Sequence, residues 1–345
     1  MNVMKILIVK LGAIGDIVHA LPVLAAIRSS IPNAEISWAV EKRSAEILRG
    51  NELIDNLIEV DTRSIRGKTA TEILPEIANQ LKELRKHKFD IALDLQGLLK
   101  SGMIAKLSGA RRRLGFSKNA LREPASRIFL TKTVEIPPQT HIIRKNLKLA
   151  AEALKMPVPD ENFEFPIFTS EEHCMEAEKI VEKAGSKFVI LNPAGGWVTK
   201  LWHGEKFGQL ADRIFDKYGM MSVVATGPNE DELAETVRKN CRSGKIILTQ
   251  PSLKGFFELA KRATLYVGGD TGPTHIAVAA GAPIVGLFGP TEWWRNGSPN
   301  PADICVERTD IACRIDCHRR QCTNWICMDS DVGTVFSAVV RRIGV

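Results

Sequence analysis

Short apolar runs of strand length alternate with helix-spaced segments along this chain, and the alternation restarts once in the middle. That pattern leaves few folds open. Strands separated by helices pair in parallel, and a parallel sheet needs helices on both faces. Residues 5–10 read as a strand and 11–16 as a Gly-rich turn. Residues 17–30 read as a helix, with Ile17, Leu21, Leu24 and Ile27 on one side. Strands at 35–40, 57–60 and 90–95 follow, with helical patterns at 45–48, 72–86, 99–107 and 142–154. The stretch 156–166, with Pro157, Pro159 and Pro166, reads as a linker. The pattern begins again with a strand at 187–192 and continues to a strand at 283–288. At 345 residues there is room for two domains. The expectation is an α/β chain of two Rossmann-like, doubly wound parallel-sheet domains, 1–165 and 166–330. A last helix in 331–345 is expected to pack back on the first domain.

The charge is unevenly placed. Residues 1–165 carry 26 Lys and Arg against 19 Asp and Glu, whereas 166–345 carry 21 of each. Either this basic surface serves solubility, or the first half meets a polyanion: nucleic acid, an anionic membrane or an anionic glycan. Nucleic acid is disfavoured, because aromatic residues do not interleave with the basic ones. The first apolar run ends at Lys10 and Gly12, too soon for a secretory signal, and no stretch approaches the roughly 18 apolar residues of a spanning helix. A cytoplasmic protein is expected.

In open parallel sheets ligands bind beyond the carboxyl ends of strands, at the first turns of the following helices. Four Gly-containing loops stand at such places. After the strand ending near Val267, Gly268-Gly269 allows close backbone approach, and Asp270-Thr271-Gly272 opens a helix with His275 one turn in. Helix-start amides with a Thr hydroxyl suit a phosphate; a simple Asp or Thr cap is the alternative. Lys200 follows Gly195-Gly196 and suits a diphosphate as a point charge, or is a solvated lysine. Glu230, after Gly227-Pro228, suits ribose hydroxyls or complements a helix dipole. In the first half, Gly12-Ala13-Ile14-Gly15-Asp16 is not the dinucleotide fingerprint. Its Gly-x-x-Gly spacing is too short, and Asp16 puts negative charge where a phosphate would lie. That argues against a dehydrogenase. Asp16 is instead a candidate general base, with an N-cap aspartate as the alternative. No Asp-x-Asp stands at a strand end, so no metal is expected.

Lys10 with Gly15-Asp16-Ile17-Val18-His19-Ala20-Leu21-Pro22, Gly269-Asp270-Thr271-Gly272-Pro273-Thr274-His275 and Phe288-Gly289-Pro290-Thr291 together resemble family 9 glycosyltransferases, the bacterial lipopolysaccharide heptosyltransferases. Trp38-Ala39-Val40-Glu41, Asp94-Leu95-Gln96-Gly97 and Leu121-Arg122-Glu123-Pro124 resemble the type I branch. The resemblance implies a GT-B fold, with two domains facing across a cleft. It implies an inverting, metal-independent transfer of heptose from ADP-heptose to the Kdo residue of lipid A, without a cofactor, at the cytoplasmic face of the inner membrane. It implies Asp16 as catalytic base and a donor site of Gly195, Gly196, Lys200, Glu230, Asp270, Thr271, Gly272 and His275. It places acceptor contacts at Lys10, Arg63, Arg66, Lys68 and Arg122. Gly195-Gly196 departs from the Thr residues common there, so hydroxyl contacts to phosphate become backbone amide contacts. The alternatives are a type II or other family 9 transferase, and a non-catalytic nucleotide-sugar binding protein.

Cys313, Cys317, Cys322 and Cys327 are spaced irregularly and lack paired Cys-x2-Cys knuckles. A packed thiol-rich loop, labile thiols and a structural metal are the three readings; no metal is assigned.

Overall fold

The computed structural model describes residues 3–62, 82–315 and 317–344. Two compact units divide the chain, Met1–Phe168 and Thr169–Val345. In the first, six parallel strands, β1 (Lys5–Val9), β2 (Glu35–Glu41), β3 (Asn56–Val60), β4 (Ile91–Asp94), β5 (Arg112–Phe116) and β6 (Lys132–Val134), lie in the order β3-β2-β1-β4-β5-β6. In the second, β7 (Phe188–Asn192), β8 (Met221–Ala225), β9 (Ile246–Thr249), β10 (Leu265–Gly269), β11 (Ile284–Phe288) and β12 (Ile304–Glu307) lie in the order β12-β11-β10-β7-β8-β9, again all parallel. These are two doubly wound Rossmann-like sheets.

The reason is legible in the central strands. Ile6, Leu7, Ile8 and Val9 of β1 are all fully buried, as are Leu265, Tyr266 and Val267 of β10. A strand covered on both faces has no polar side to alternate with. In each sheet the winding direction reverses once, between β1 and β4 in the first unit and between β7 and β10 in the second. At such a switch point the two neighbouring loops leave in opposite directions and open a crevice at the carboxyl edge.

Several elements differ from the sequence expectation. The helix expected at 17–30 is two, Ile14–Val18 and Leu21–Ser30, parted at His19-Ala20. Pro22 sits in the first turn of the second, where its missing N–H costs nothing. The short helix at 45–48 is a pair of 3-10 turns, Lys42–Ser44 and Glu46–Leu48. Strands β5, β6 and β12 and the helix Glu171–Ala184 were not anticipated. Both β5 and β6 open on basic residues that mask the strand pattern. The helix buries only Ala177, Ile180 and Ala184. Most of the helix expected at 72–86 lies outside the described residues. The last helix, Val332–Ile343, places Val335, Ala338 and Val339 in the core of the second unit beside Val285 and Leu287. Arg342 Nε also donates to Asp303 Oδ1 at 2.8 Å, so the buried face of this helix is occupied within its own unit.

Candidate active site

In the first unit the switch point brings the loop after β1 against the loop after β4. Asp16, in the first turn of Ile14–Val18, turns its carboxylate toward Gln96. Asp16 Oδ2 accepts from Gln96 Nε2 at 3.4 Å, from the Ala13 N–H at 3.2 Å and from Arg122 Nη1 at 3.3 Å. The Ala13 bond is the back-reaching half of a helix cap, so the capping reading of Asp16 is realised in part. Asp16 Oδ1 accepts no hydrogen bond from the described residues; Lys10 Nζ stands 3.9 Å from it. Lys10 is buried and donates to Leu95 O at 2.7 Å, while its own carbonyl accepts from Trp38 Nε1 at 3.1 Å. Gln96 Oε1 accepts the N–H groups of Leu11 and Gly12 at 3.0 and 3.3 Å. Those two bonds fix the amide so that its NH2 end faces Asp16. Behind it, buried Asp94 Oδ1 accepts the N–H groups of Gln96 and Gly97, both at 3.0 Å, and Gly97 takes the left-handed φ of +72° that this turn requires. Burial pushes the Asp94 carboxyl up, and these N–H donors offset that only in part.

In the second unit the loop after β7 meets the loop after β10. Asp270 Oδ2 receives Lys200 Nζ at 2.6 Å, and the same ammonium donates to Asp270 O at 3.1 Å. Asp270 Oδ1 accepts from Asn296 Nδ2 at 2.9 Å and lies 3.1 Å from His275 Nε2. Burial alone would raise the Asp270 carboxyl, but His275 and Lys200 outweigh it and hold the group well below the ordinary range. Lys200 Nζ also stands 4.4 Å over the Trp197 ring, a cation–π contact. Thr271 stands at the N-cap position of the helix Gly272–Ala279 without a side-chain capping hydrogen bond, and its hydroxyl meets Thr274 Oγ1 at 3.3 Å; Thr274 in turn meets buried Tyr266 at 2.9 Å and donates to Gly269 O. A Cβ at Gly269 would come within 3.0 Å of Lys200 O, so the two loops touch backbone to backbone because Gly269 has no side chain. Three polar atoms at or just beyond the carboxyl ends of these strands, Asn192 Oδ1, Thr226 Oγ1 and Thr291 Oγ1, are buried with no partner among the described residues. Such atoms carry hydrogen-bonding capacity that a polar ligand or an ordered water meets.

Of the residues singled out from sequence, Lys200, Asp270, Thr271, Gly272 and His275 come together, as do Asp16, Lys10 and Arg122. Gly195 is tightly packed, with Leu201 2.8 Å from where a Cβ would stand, and Gly196 is open. Glu230 closes its own loop, its Oε2 accepting the Gly227 N–H at 2.6 Å. Arg63, Arg66 and Lys68 lie outside the described residues. Sequence reasoning missed Gln96 as a partner of Asp16 and Asn296 as a partner of Asp270. Gln96 lies in the loop just after the strand that neighbours β1, which was the available signal. Asn296 stands on the four-residue helix Trp293–Asn296 and carries no signal of its own.

All seven cysteines are free thiols. Burial, then the nearby Cys317, Cys322 and Cys313, raise the Cys327 thiol. Among the described residues no three His, Cys, Asp or Glu side chains are arranged to hold a metal. No described helix is long and apolar enough to cross a membrane.

Two doubly wound sheets, each with an ionisable cluster at its switch point, define an α/β enzyme of the GT-B glycosyltransferase class. The chain belongs to glycosyltransferase family 9 (heptosyltransferase), whose model matches residues 77–325. It is similar to lipopolysaccharide heptosyltransferase 1 of Pseudomonas aeruginosa, 26% identical over 93% of this chain and 88% of the relative. It is also similar to lipopolysaccharide heptosyltransferase 1 of Campylobacter coli, at 28% over 85% and 86%. Among solved structures, E. coli heptosyltransferase WaaC with ADP-2-deoxy-2-fluoro heptose superposes with a TM-score of 0.75, at 22% identity, over 99% of each chain. The sequence expectations of fold and family are met.

Proposed function

We propose that this chain transfers heptose from ADP-heptose to the Kdo residue of lipid A in lipopolysaccharide core synthesis, by a single inverting displacement that needs no metal. The observation that carries the reading is the state of Asp16: three donors gather on Oδ2, and Oδ1 keeps its lone pairs for an incoming hydroxyl. Asp16 Oδ1 takes the proton of the acceptor hydroxyl. The hydroxyl oxygen attacks the anomeric carbon, and ADP departs with the bonding electron pair. Direct attack inverts the anomeric centre. Lys200, held by Asp270, and the amides at the start of Gly272–Ala279 bear the charge of the departing diphosphate. Glu230 holds the ribose, exposed Arg122 meets the anionic acceptor, and buried Lys10 adds its positive charge from behind Asp16. The names of the relatives and the ADP-heptose analogue in the WaaC structure support this donor and this branch of the family. The acceptor is lipid-borne, so the enzyme works at the cytoplasmic face of an anionic inner membrane.

The test is Asp16→Ala assayed with ADP-heptose and Kdo-capped lipid A. Loss of a general base lowers kcat by about 10²–10⁴-fold, while ADP affinity by calorimetry stays at the wild-type value. Full turnover in the variant removes Asp16 from the chemistry. A wild-type protein that binds ADP-heptose but releases no ADP with any Kdo acceptor is a binding module.

A further inference from the structure

The exposed face of the helix Leu99–Leu107 has the wrong composition for a face turned to water. Leu99, Met103 and Lys106, spaced i, i+4 and i+7, form one exposed stripe. Leu99 is 42% exposed and Met103 46%. The 3-10 segment Pro124–Phe129 packs alongside: a Cβ on Gly102 would stand 3.0 Å from Phe129 Cδ2, and Lys106 Nζ lies 5.9 Å over the Phe129 ring. From that segment Ile128 projects, 73% exposed, beside exposed Arg127. Three large apolar side chains thus stand in water on two packed elements.

The same stretch holds the basic excess of the first half. Residues 99–132 contain nine Lys and Arg and one acid, Glu123. Two of the nine pair with carboxylates, Lys100 with Glu41 at 3.0 Å and Arg122 with Asp16 at 3.3 Å. The other seven form no ion pair among the described residues, although Arg112, Arg113 and Arg127 each donate to a main-chain carbonyl. Glu123 is itself engaged, its Oε2 accepting the Leu99 N–H at 2.6 Å. It is the chain neighbour of Arg122, so the stripe runs directly into the Asp16 cluster.

The geometry points to a docking face for an anionic lipid bilayer, formed by Leu99, Met103 and Ile128 as apolar anchors and by exposed Lys106 and Arg127 as headgroup contacts. Both parts are needed for the argument. Apolar side chains gain by entering the interfacial region, and Lys and Arg gain from the anionic surface potential. A nucleic acid would meet the charges but leave the apolar stripe in water. An acidic protein would have to supply an apolar patch of its own. The proposal deepens the membrane-acceptor reading above by naming the surface. A bilayer held here lies beside the cluster proposed to receive a lipid-borne hydroxyl.

The full chain is floated with vesicles of mixed phosphatidylglycerol and phosphatidylcholine, and with pure phosphatidylcholine vesicles, in the absence of nucleotide sugar and acceptor. Wild type partitions to the mixed vesicles and not to the neutral ones. The triple variant Leu99→Ser, Met103→Ser, Ile128→Ser and the double variant Lys106→Glu, Arg127→Glu each lower that partition by about tenfold or more. Both keep the wild-type melting temperature and ADP affinity, since every changed side chain is exposed. Equal partition to neutral vesicles, or variants that partition as wild type, overturns the assignment. So does capture on duplex DNA or by an acidic protein without vesicle binding. Because no substrate is present, failure here leaves the transfer chemistry standing, and a fully active Asp16→Ala protein leaves the docking face standing.

Discussion

The two units share a topology and place an aspartate at the same kind of crevice, yet they hold it in opposite ways. Asp16 of the first unit keeps 27% of its side chain exposed and is touched by long, loose contacts of 3.2–3.9 Å. Asp270 of the second is 5% exposed and gripped at 2.6–3.1 Å by Lys200, Asn296 and His275. A group that must take a proton from an incoming hydroxyl needs an open lone pair. A cradle for a departing diphosphate works best when its cation is fixed beforehand and costs no reorganisation. On this account Asp270 is a positioning residue: both its oxygens are occupied, and its role is to aim Lys200.

Replacing Lys200 by Met is the severest way to break the contrast. It strands the buried Asp270 carboxylate without its ammonium, which costs about 3–5 kcal/mol of stability. Urea unfolding midpoints measure this, and adding Asp270→Asn restores most of the loss. The matching change in the first unit, Arg122→Met, removes an exposed pair worth under about 1 kcal/mol. If the two single variants unfold alike, the distinction between a preset cradle and a loose base is wrong. A smaller step is Asn296→Ala, which deletes one neutral donor to a charged acceptor. It costs about 1–2 kcal/mol and raises the KM for the nucleotide sugar more than it lowers kcat, because Lys200 is then less sharply aimed. Unchanged KM and stability would make Asn296 a bystander.

The sheets were legible because a strand buried on both faces announces itself as an unbroken apolar run, as in Ile6 to Val9 and Leu265 to Val267. Strands β5 and β6 were not: they open on exposed Arg112 and Lys132, which shorten the apolar run each shows. The cluster at Asp270 was legible because Gly268-Gly269 before a helix start is a local pattern. Gln96 and Asn296 were harder, since each acts through a partner about 80 and 26 residues away, and only strand order brings Gln96 to Asp16. Glu230 shows the limit of local reasoning. Its carboxylate closes the Gly227 turn whether or not it meets a ribose.

A second pair of aspartates sharpens the comparison at lower amplitude. Asp94 is as buried as Asp270, but it has peptide N–H donors where Asp270 has Lys200 and His275, and burial pushes it up while Asp270 is held down. The stability consequences have opposite signs. Asp270 stabilises the fold above the unfolded carboxyl value of about 4, and that stability is lost only as pH falls toward its own depressed value. For Asp94 the folded chain keeps its proton as the unfolded chain releases one, so stability is full below about pH 4 and falls as pH rises toward the raised folded value. Asp94→Asn keeps an oxygen for the Gln96 and Gly97 N–H groups and removes the titration. The variant is therefore expected to gain on wild type between about pH 5 and pH 8, by roughly 1 kcal/mol for each pH unit over which the folded group stays protonated. Thermal midpoints at those two pH values measure it. A variant that loses ground toward pH 8 would mean that Asp94 is charged in the fold, with Lys10 as its counterion, and the first unit would then hold a preset ion pair much as the second does.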